Sequence, residues 1–351
     1  MPCTSPHLSR RNRWRVFAAL GAALVALMAL NVATGETTIP LATVWQVLAR
    51  HLPGLRAAPP PAVAESIVWE SRLPRALGGA VIGMLLAMAG VAFQSFLRNP
   101  LADPYTVGVS AGAAFGSALV ILSGGASLLG GYAQPLAAFG MGLVATGIVY
   151  LLARRNGRVS AQTFLLAGIV VGTFLWSLIP LSLSLANRSG DIDRQTLILS
   201  QLLGNLTYLE WRSLWLLLPF GLAGMTTLWL SARELNVMAQ GEETAIHLGV
   251  DTEAFKRRII LAGTLATAAA VSVAGIIAFV GLVVPHIARR LIGPDHHVLL
   301  PTAMLLGGLV LVGADWLSRV CLGNLEIGVV TSLMGAPVFC YLLRRQFASR
   351  M

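Results

Sequence analysis

Lysine is almost missing from this chain: of its 25 basic residues only Lys256 is one, and just 15 of 351 residues are acidic. Charged residues amount to 11% against 56% hydrophobic, with a mean hydropathy of +0.75. That leaves too little polar side chain to coat a soluble globule, and the chain reads as an integral membrane protein. The net charge of +10 does not indicate nucleic acid, because the arginines are scattered among short loops and build no continuous basic face. Three cysteines, Cys3, Cys321 and Cys340, form no C-x-x-C, which argues against a disulfide frame or a zinc site. There is no G-x-x-x-x-G-K-[ST], and the one lysine precedes Arg257, so this chain carries no Walker loop for ATP. H-E-x-x-H, a Ser-His arrangement and paired aspartates within spans are absent too, which removes an intramembrane hydrolase.

What is present is organised around Arg72–Gly116. The 22 residues between Arg75 and Arg98 carry no formal charge, enough at about 1.5 Å each to cross roughly 30 Å of hydrocarbon. Gly79, Gly83, Ala87 and Gly90 line one face at helical spacing, so this span should pack closely on protein. Its helix is expected to start at Arg72-Leu-Pro74-Arg75, with the proline in the first turn, and to stop at Arg98-Asn99-Pro100-Leu101-Ala102-Asp103-Pro104.

Ten spans follow from the hydropathy pattern. The first is Val16–Thr34; its preceding arginines resemble a secretory signal, but an apolar run of 18 residues is longer than a signal core, so an uncleaved span is expected. Residues 35–71 hold an amphipathic piece, Leu41–Leu52, and a stiff Pro59-Pro60-Pro61 linker. After the central span come Tyr105–Leu122, Pro135–Ala153, Phe164–Ala186, Ser213–Leu230, Ile259–Ala274, Ile276–Ile292 broken at Pro285, Leu299–Leu317 and Ile327–Leu343. Residues 187–211 form a loop with Asp191, Asp193, Arg194 and Glu210. Arg233–Arg258 is the longest charge-rich stretch, with five of the 15 acidic residues, and is helix-compatible in two pieces broken at Gly241 and Gly249. Assigning it to the cytoplasm puts 17 of the 25 basic residues inside, with both termini there as well. The fold class is thus all-α: a bundle of about ten transmembrane helices in a single domain, 1–351, with a cytoplasmic tail over 1–15 and a cytoplasmic loop over 233–258.

Asp315 is the one carboxylate candidate at membrane depth, and Arg319 lies four residues on along the same helix face, the spacing of a structural pair. An ion-gradient-coupled secondary transporter, which needs an ionisable ligand at mid-membrane, is therefore the alternative reading and not the first. His286 follows Pro285, and the adjacent His296-His297, in a loop without cysteine or carboxylate support, reads as solvated and not as a metal site.

Arg72-Leu-Pro-Arg75, Asn99-Pro-Leu-Ala-Asp-Pro104, Gly108-Val-Ser-Ala-Gly112-Ala, Leu165-Leu-Ala-Gly168, Gly241-Glu242 through Leu248-Gly249, Phe279-Val-Gly-Leu-Val-Val-Pro285-His286 and Val329-Val330 through Gly335-Ala-Pro337 stand in fixed order. In these motifs the chain resembles, nearly end to end, the permease family of binding-protein-dependent ABC importers for iron-siderophores, haem and vitamin B12. The resemblance implies a non-enzymatic subunit of the bacterial inner membrane, without cofactor, metal or catalytic residue. It implies a homodimer whose interface is the pathway, two ATPase subunits below it, a substrate-binding protein above it, and membrane lipid around it. Gly241, Glu242, Ala245, Leu248 and Gly249 match the coupling helix that enters a cleft of the ATPase subunit; on composition alone the same segment reads equally as a solvated loop. Arg72, Arg75 and Arg319 fall where the family docks acidic residues of the binding protein; without the family, Arg72 and Arg75 read as arginines snorkelling at the interface. Asn99, Leu101, Ala161 and Gln162 fall where relatives narrow the cytoplasmic mouth, although Asn99 also suits a helix-capping turn. The chain departs from the family at Asn324-Leu325-Glu326-Ile327-Gly328, with glutamate at the usual proline position and a shorter linker, which puts docking at Arg319 in question. The cargo, an iron complex or cobalamin, is not legible, because the binding protein does most of the selecting.

Overall fold

The computed structural model describes residues 10–35, 37–52, 58–188 and 192–348. Cys3, Asp191, Arg350 and most of the 1–15 tail lie outside them. The chain runs α1 (Arg10–Ala33), α2 (Leu41–His51), α3 (Ala62–Glu65), a π-helical turn (Ser66–Arg72), α4 (Leu73–Phe96), a 3-10 turn (Pro104–Val107), α5 (Val109–Leu122) and α6 (Ala133–Ala153). A small hairpin, β1 (Arg154–Arg155) and β2 (Arg158–Val159), leads to α7 (Ala161–Arg188), α8 (Ile192–Leu203), α9 (Trp211–Leu230), α10 (Ala232–Gln240) and α11 (Glu242–His247). The rest is α12 (Thr252–Ala274), α13 (Val280–Ile292), α14 (His296–Cys321) and α15 (Ile327–Ala348).

Among the described residues, seven helices are long and apolar enough to cross a membrane and two apolar ones, in α5 and α15, are shorter. The tenth expected span falls on α13, whose 13 residues do not reach that length. Arg13, near the start of α1, lies 4.0 Å from Asp295, which caps the start of α14, so these two helices begin at the same end of the bundle.

The central span is the axis of the molecule. Nineteen of the 24 residues of α4 are buried, and α14, α12, α13 and α9 surround it. A helix apolar on every side belongs in such a position. Its small face allows close approach: a Cβ on Gly83 would collide with the Gly307 carbonyl of α14, and one on Gly90 with the Gly281 carbonyl of α13. By contrast α1 and α9 stay largely exposed along their apolar lengths, the surface a lipid would cover.

The structure corrects four sequence expectations. Pro74 does not open the helix: α3, the π turn and α4 continue without a break as one 35-residue helix, Ala62–Phe96. The wide turn makes this possible, because proline has no N–H to donate and its ring crowds the carbonyl four residues back. Within that turn the Leu73 N–H reaches Val68 O, one residue further than α geometry requires. Secondly, Pro285 does not break its span; α13 passes through it, and the break falls at Gly275–Phe279, where Phe279 has a φ of 67°. Pro285 leaves the Gly281 carbonyl without its helical donor, and that carbonyl faces Gly90, where no side chain stands in its way. Backbone opened at membrane depth must find partners inside the protein. Here the Tyr105 hydroxyl donates to Ile277 O and accepts from Ile277 N, and Ile276 N donates to Gln201 O.

Thirdly, the arginines of the expected tail, Arg10 to Arg15, already belong to α1, and the span placed at Ile259–Ala274 begins as α12 at Thr252. Lastly, His296 is not solvated. It is 4% exposed, with Nδ1 on Asn236 Oδ1 at 2.7 Å and Nε2 on Ser95 Oγ at 2.7 Å, while its neighbour His297 is exposed.

Candidate functional site at the two ends of the bundle

At the end of the bundle remote from α11, three arginines converge from two helices. Arg75 donates from Nε to Asp315 Oδ1 at 2.8 Å and from a terminal nitrogen to Asn324 Oδ1 at 3.1 Å. Arg319 lies 3.4 Å from the other carboxylate oxygen and donates to Asn31 O. Arg72 donates to Val32 O, Ala33 O and Thr37 O. The Arg72 and Arg319 guanidiniums flank Gly35. Asp315 is 1% exposed and is therefore held as a structural carboxylate, and Asn31, fully buried in α1, donates to it as well at 3.1 Å. Arg75 and Arg319 thus share the Asp315 carboxylate, and Arg72 lies beside Arg319 across Gly35. Asn324, in the segment expected to depart from the family pattern, is one of Arg75's partners and takes a φ of 63°.

At the other end, α11 stands between two backbone hinges. Gly241 has a φ of 138° and Gly249 a φ of 80°, conformations that a side chain makes costly, so glycine at both positions lets the chain turn out of α10 and back into α12. Among the five residues of the expected coupling set, Ala245 is buried and seats the helix on the bundle, whereas Leu248 is 63% exposed. Ile246, which sequence reading did not single out, is 56% exposed beside it. Two neighbouring large apolar side chains held out in this way form a surface suited to insertion in a partner.

Glu242 of α11 is tied back by the one lysine. Lys256 Nζ donates to Glu242 Oε1 at 2.6 Å, to Glu253 Oε1 at 2.8 Å and to Val159 O of β2 at 2.9 Å. α10 is anchored separately. Asn236 donates to Asp295 Oδ1 at 2.8 Å and accepts from His296 N, which fixes the start of α14 against it. Burial alone would raise the Asp295 carboxyl, but the Asn236 amide, the His297 N–H and the charges of His297 and Arg13 outweigh it and hold it below the usual carboxylate range.

Ala161 and Gln162 line a cleft of about 750 Å³ together with Arg98, Arg155, Arg158, Glu242 and Lys256. The structure therefore brings this half of the expected gate against α11. It does not bring Asn99 and Leu101 into that cleft: Asn99 Oδ1 accepts the Leu101 N–H at 3.0 Å in a turn after α4, and Leu101 projects into solvent. The β1–β2 hairpin in this region was missed, although Asn156-Gly157 announces it. Both residues have positive φ, 51° and 80°, as a two-residue hairpin turn requires.

A multi-pass helical bundle with an unwound segment at Gly275–Phe279 and a short helix held out between two glycines has the form of a membrane permease. The chain belongs to the FecCD transport family, whose model matches residues 23–345. It is 38% identical over 341 residues to the uncharacterized ABC transporter permease protein YvrB of Bacillus subtilis, covering 96% of this chain and 95% of that one. It is 43% identical to the cobalamin import system permease protein BtuC of Halobacterium salinarum, covering 81% of this chain and 75% of that one. A solved ABC transporter presented as of the metal-chelate type, in an inward-facing conformation, superposes with a TM-score of 0.80 at 27% identity, covering 94% of this chain and 99% of that one. The protein is an ABC importer permease of the inner membrane and not an enzyme.

Proposed function

We propose that the protein moves an iron complex, siderophore or haem, or cobalamin inward. In this reading it works as a homodimer, with both termini and α11 in the cytoplasm, two ATPase subunits gripping α11, and a binding protein seated on the arginine end. The observation that carries the reading is the form of α11: a short helix with Ile246 and Leu248 outward, hinged at Gly241 and Gly249 and connected at its base to the membrane helices. ATP closing the ATPase dimer would draw two such helices together and tilt the spans behind them. The proposed cargo follows the cobalamin relative and the metal-chelate structural neighbour. Docking of acidic side chains on Arg72, Arg75 and Arg319 is supported by the convergence of these three arginines at the end of the bundle remote from α11. Gating by Ala161 and Gln162 is supported by their place beside Glu242, and gating by Asn99 and Leu101 by the family motif.

The alternative, an ion-gradient carrier, gains nothing from Asp315, which two guanidiniums and an amide already occupy. Deleting 241–249 tests the proposal. Insertion should be retained while ATPase co-purification and uptake are lost, and an ATPase that still co-purified would overturn the coupling role. Which of ferric siderophore, haem and cobalamin raises the melting temperature of the cognate binding protein identifies the cargo.

A further inference from the structure

Between the helix a motor would pull and the helices that would open lies one buried side chain. Lys256, in the second turn of α12, is 5% exposed. An ammonium has three N–H donors. Each meets one acceptor on a different part of the structure: Glu242 on α11, Glu253 on α12 itself, and the Val159 carbonyl on β2. Glu253 closes the knot, since its second oxygen accepts the Val159 N–H at 3.0 Å. Val159 is thus held at both its backbone N–H and its carbonyl, and it is 1% exposed. Only Ser160 separates it from α7, whose first residues are Ala161 and Gln162.

We infer that Lys256 is the positioning residue that passes a displacement of α11 to the β1–β2 hairpin and so to the mouth end of α7; this rests on the coupling role proposed for α11. The backbone route out of α11 is soft, because Gly241 and Gly249 let the helix rotate without carrying its neighbours. The side-chain route is stiff. Glu242 directly follows the Gly241 hinge, and through Lys256 it is joined to a hairpin too short to absorb movement and to a helix that crosses the whole bundle. Lysine suits the knot because its three donors diverge tetrahedrally toward acceptors on three elements, whereas the guanidinium of arginine is a flat fork.

The test uses the assembled complex of permease, ATPase and binding protein in proteoliposomes, with ATP hydrolysis and uptake measured on the same preparation. Lys256→Met should leave the ATPase bound and hydrolysing while uptake per ATP falls roughly tenfold. Lys256→Arg, which keeps the charge but presents a flat fork in place of three diverging donors, should recover only a minor part of that loss. Hydrolysis and uptake falling in step, or uptake per ATP unchanged in Lys256→Met, would overturn the inference. Loss of co-purification on deleting 241–249 with normal coupling in Lys256→Met would reject the pin alone; retained co-purification on that deletion would remove the coupling role and the pin together. A second measurement needs no change at Lys256. Spin labels at the exposed positions Asn156 and His247, in a cysteine-free background, should keep one separation with and without ATP. A change of about 5 Å, one helical turn, would show that hairpin and coupling helix move independently and would end the proposal.

Discussion

Arg75 and Asp315 stand 240 positions apart in the chain and 2.8 Å apart in the structure, where they join α4 to α14 at the end of the bundle opposite α11. Arg319 and Asn31 complete the contact, so α1, α4 and α14 meet on one carboxylate.

Because both partners are buried, removing one strands the other. Asp315→Asn is expected to lower the stability of the folded permease by about 3 kcal/mol, read as a reduced melting temperature in detergent. A double-mutant cycle with Arg75→Met should return a coupling of about 1 to 3 kcal/mol; simple additivity would mean that the pair does not act as a unit.

Close approach makes a second case. Gly90→Ala places a methyl group against the Gly281 carbonyl and should cost about 1 to 3 kcal/mol through displacement of α13. Gly147→Ala, on α6 with open space around the new methyl, should change stability by less than about 1 kcal/mol in either direction. Folded yield of the two variants, measured side by side, separates packing from helix propensity.

The outward face of α11 offers a third. Ile246→Asp and Leu248→Asp leave the bundle untouched, and each should weaken ATPase association about tenfold or more, the worth of one buried aliphatic side chain. Pull-down at equal permease concentration reads this directly, and unchanged association for both would place the ATPase contact elsewhere.

A pH dependence follows from Asp103, in the turn after α4. Burial pushes its carboxyl up from 3.8 to about 6, partly opposed by the Tyr105 N–H it accepts. A folded value above the unfolded one means that its stabilising contribution is complete below the unfolded value and is lost as pH rises through the folded value. Wild type should therefore lose thermal stability relative to Asp103→Asn between about pH 4 and pH 6.5, and the difference should then level off. A gap that is flat over this window would show that Asp103 does not titrate there.

Much of this architecture was legible without coordinates. The apolar runs located the seven helices long and apolar enough to cross a membrane and the two shorter ones, because length and the absence of charge are local properties. The small-residue stripe on α4 announced a close helix contact, and Gly241 and Gly249 marked the limits of α11. Pro74 and Pro285 were misread because a proline breaks an isolated helix, yet in the bundle a π turn and a facing glycine accommodate them. The arginine cluster was legible as residues but not as a cluster, and its Asn31 and Asn324 partners gave no local signal.

Composition and periodicity alone determined that this chain is a membrane-spanning helical bundle, since burying apolar surface in lipid and satisfying every backbone group leave few other forms. Where α4 sits among its neighbours, which carboxylate holds Arg75, and how Lys256 joins α11 to β2 were decided only by the tertiary structure. Those contacts depend on helix rotation and tilt, which are set by packing between segments far apart in the chain.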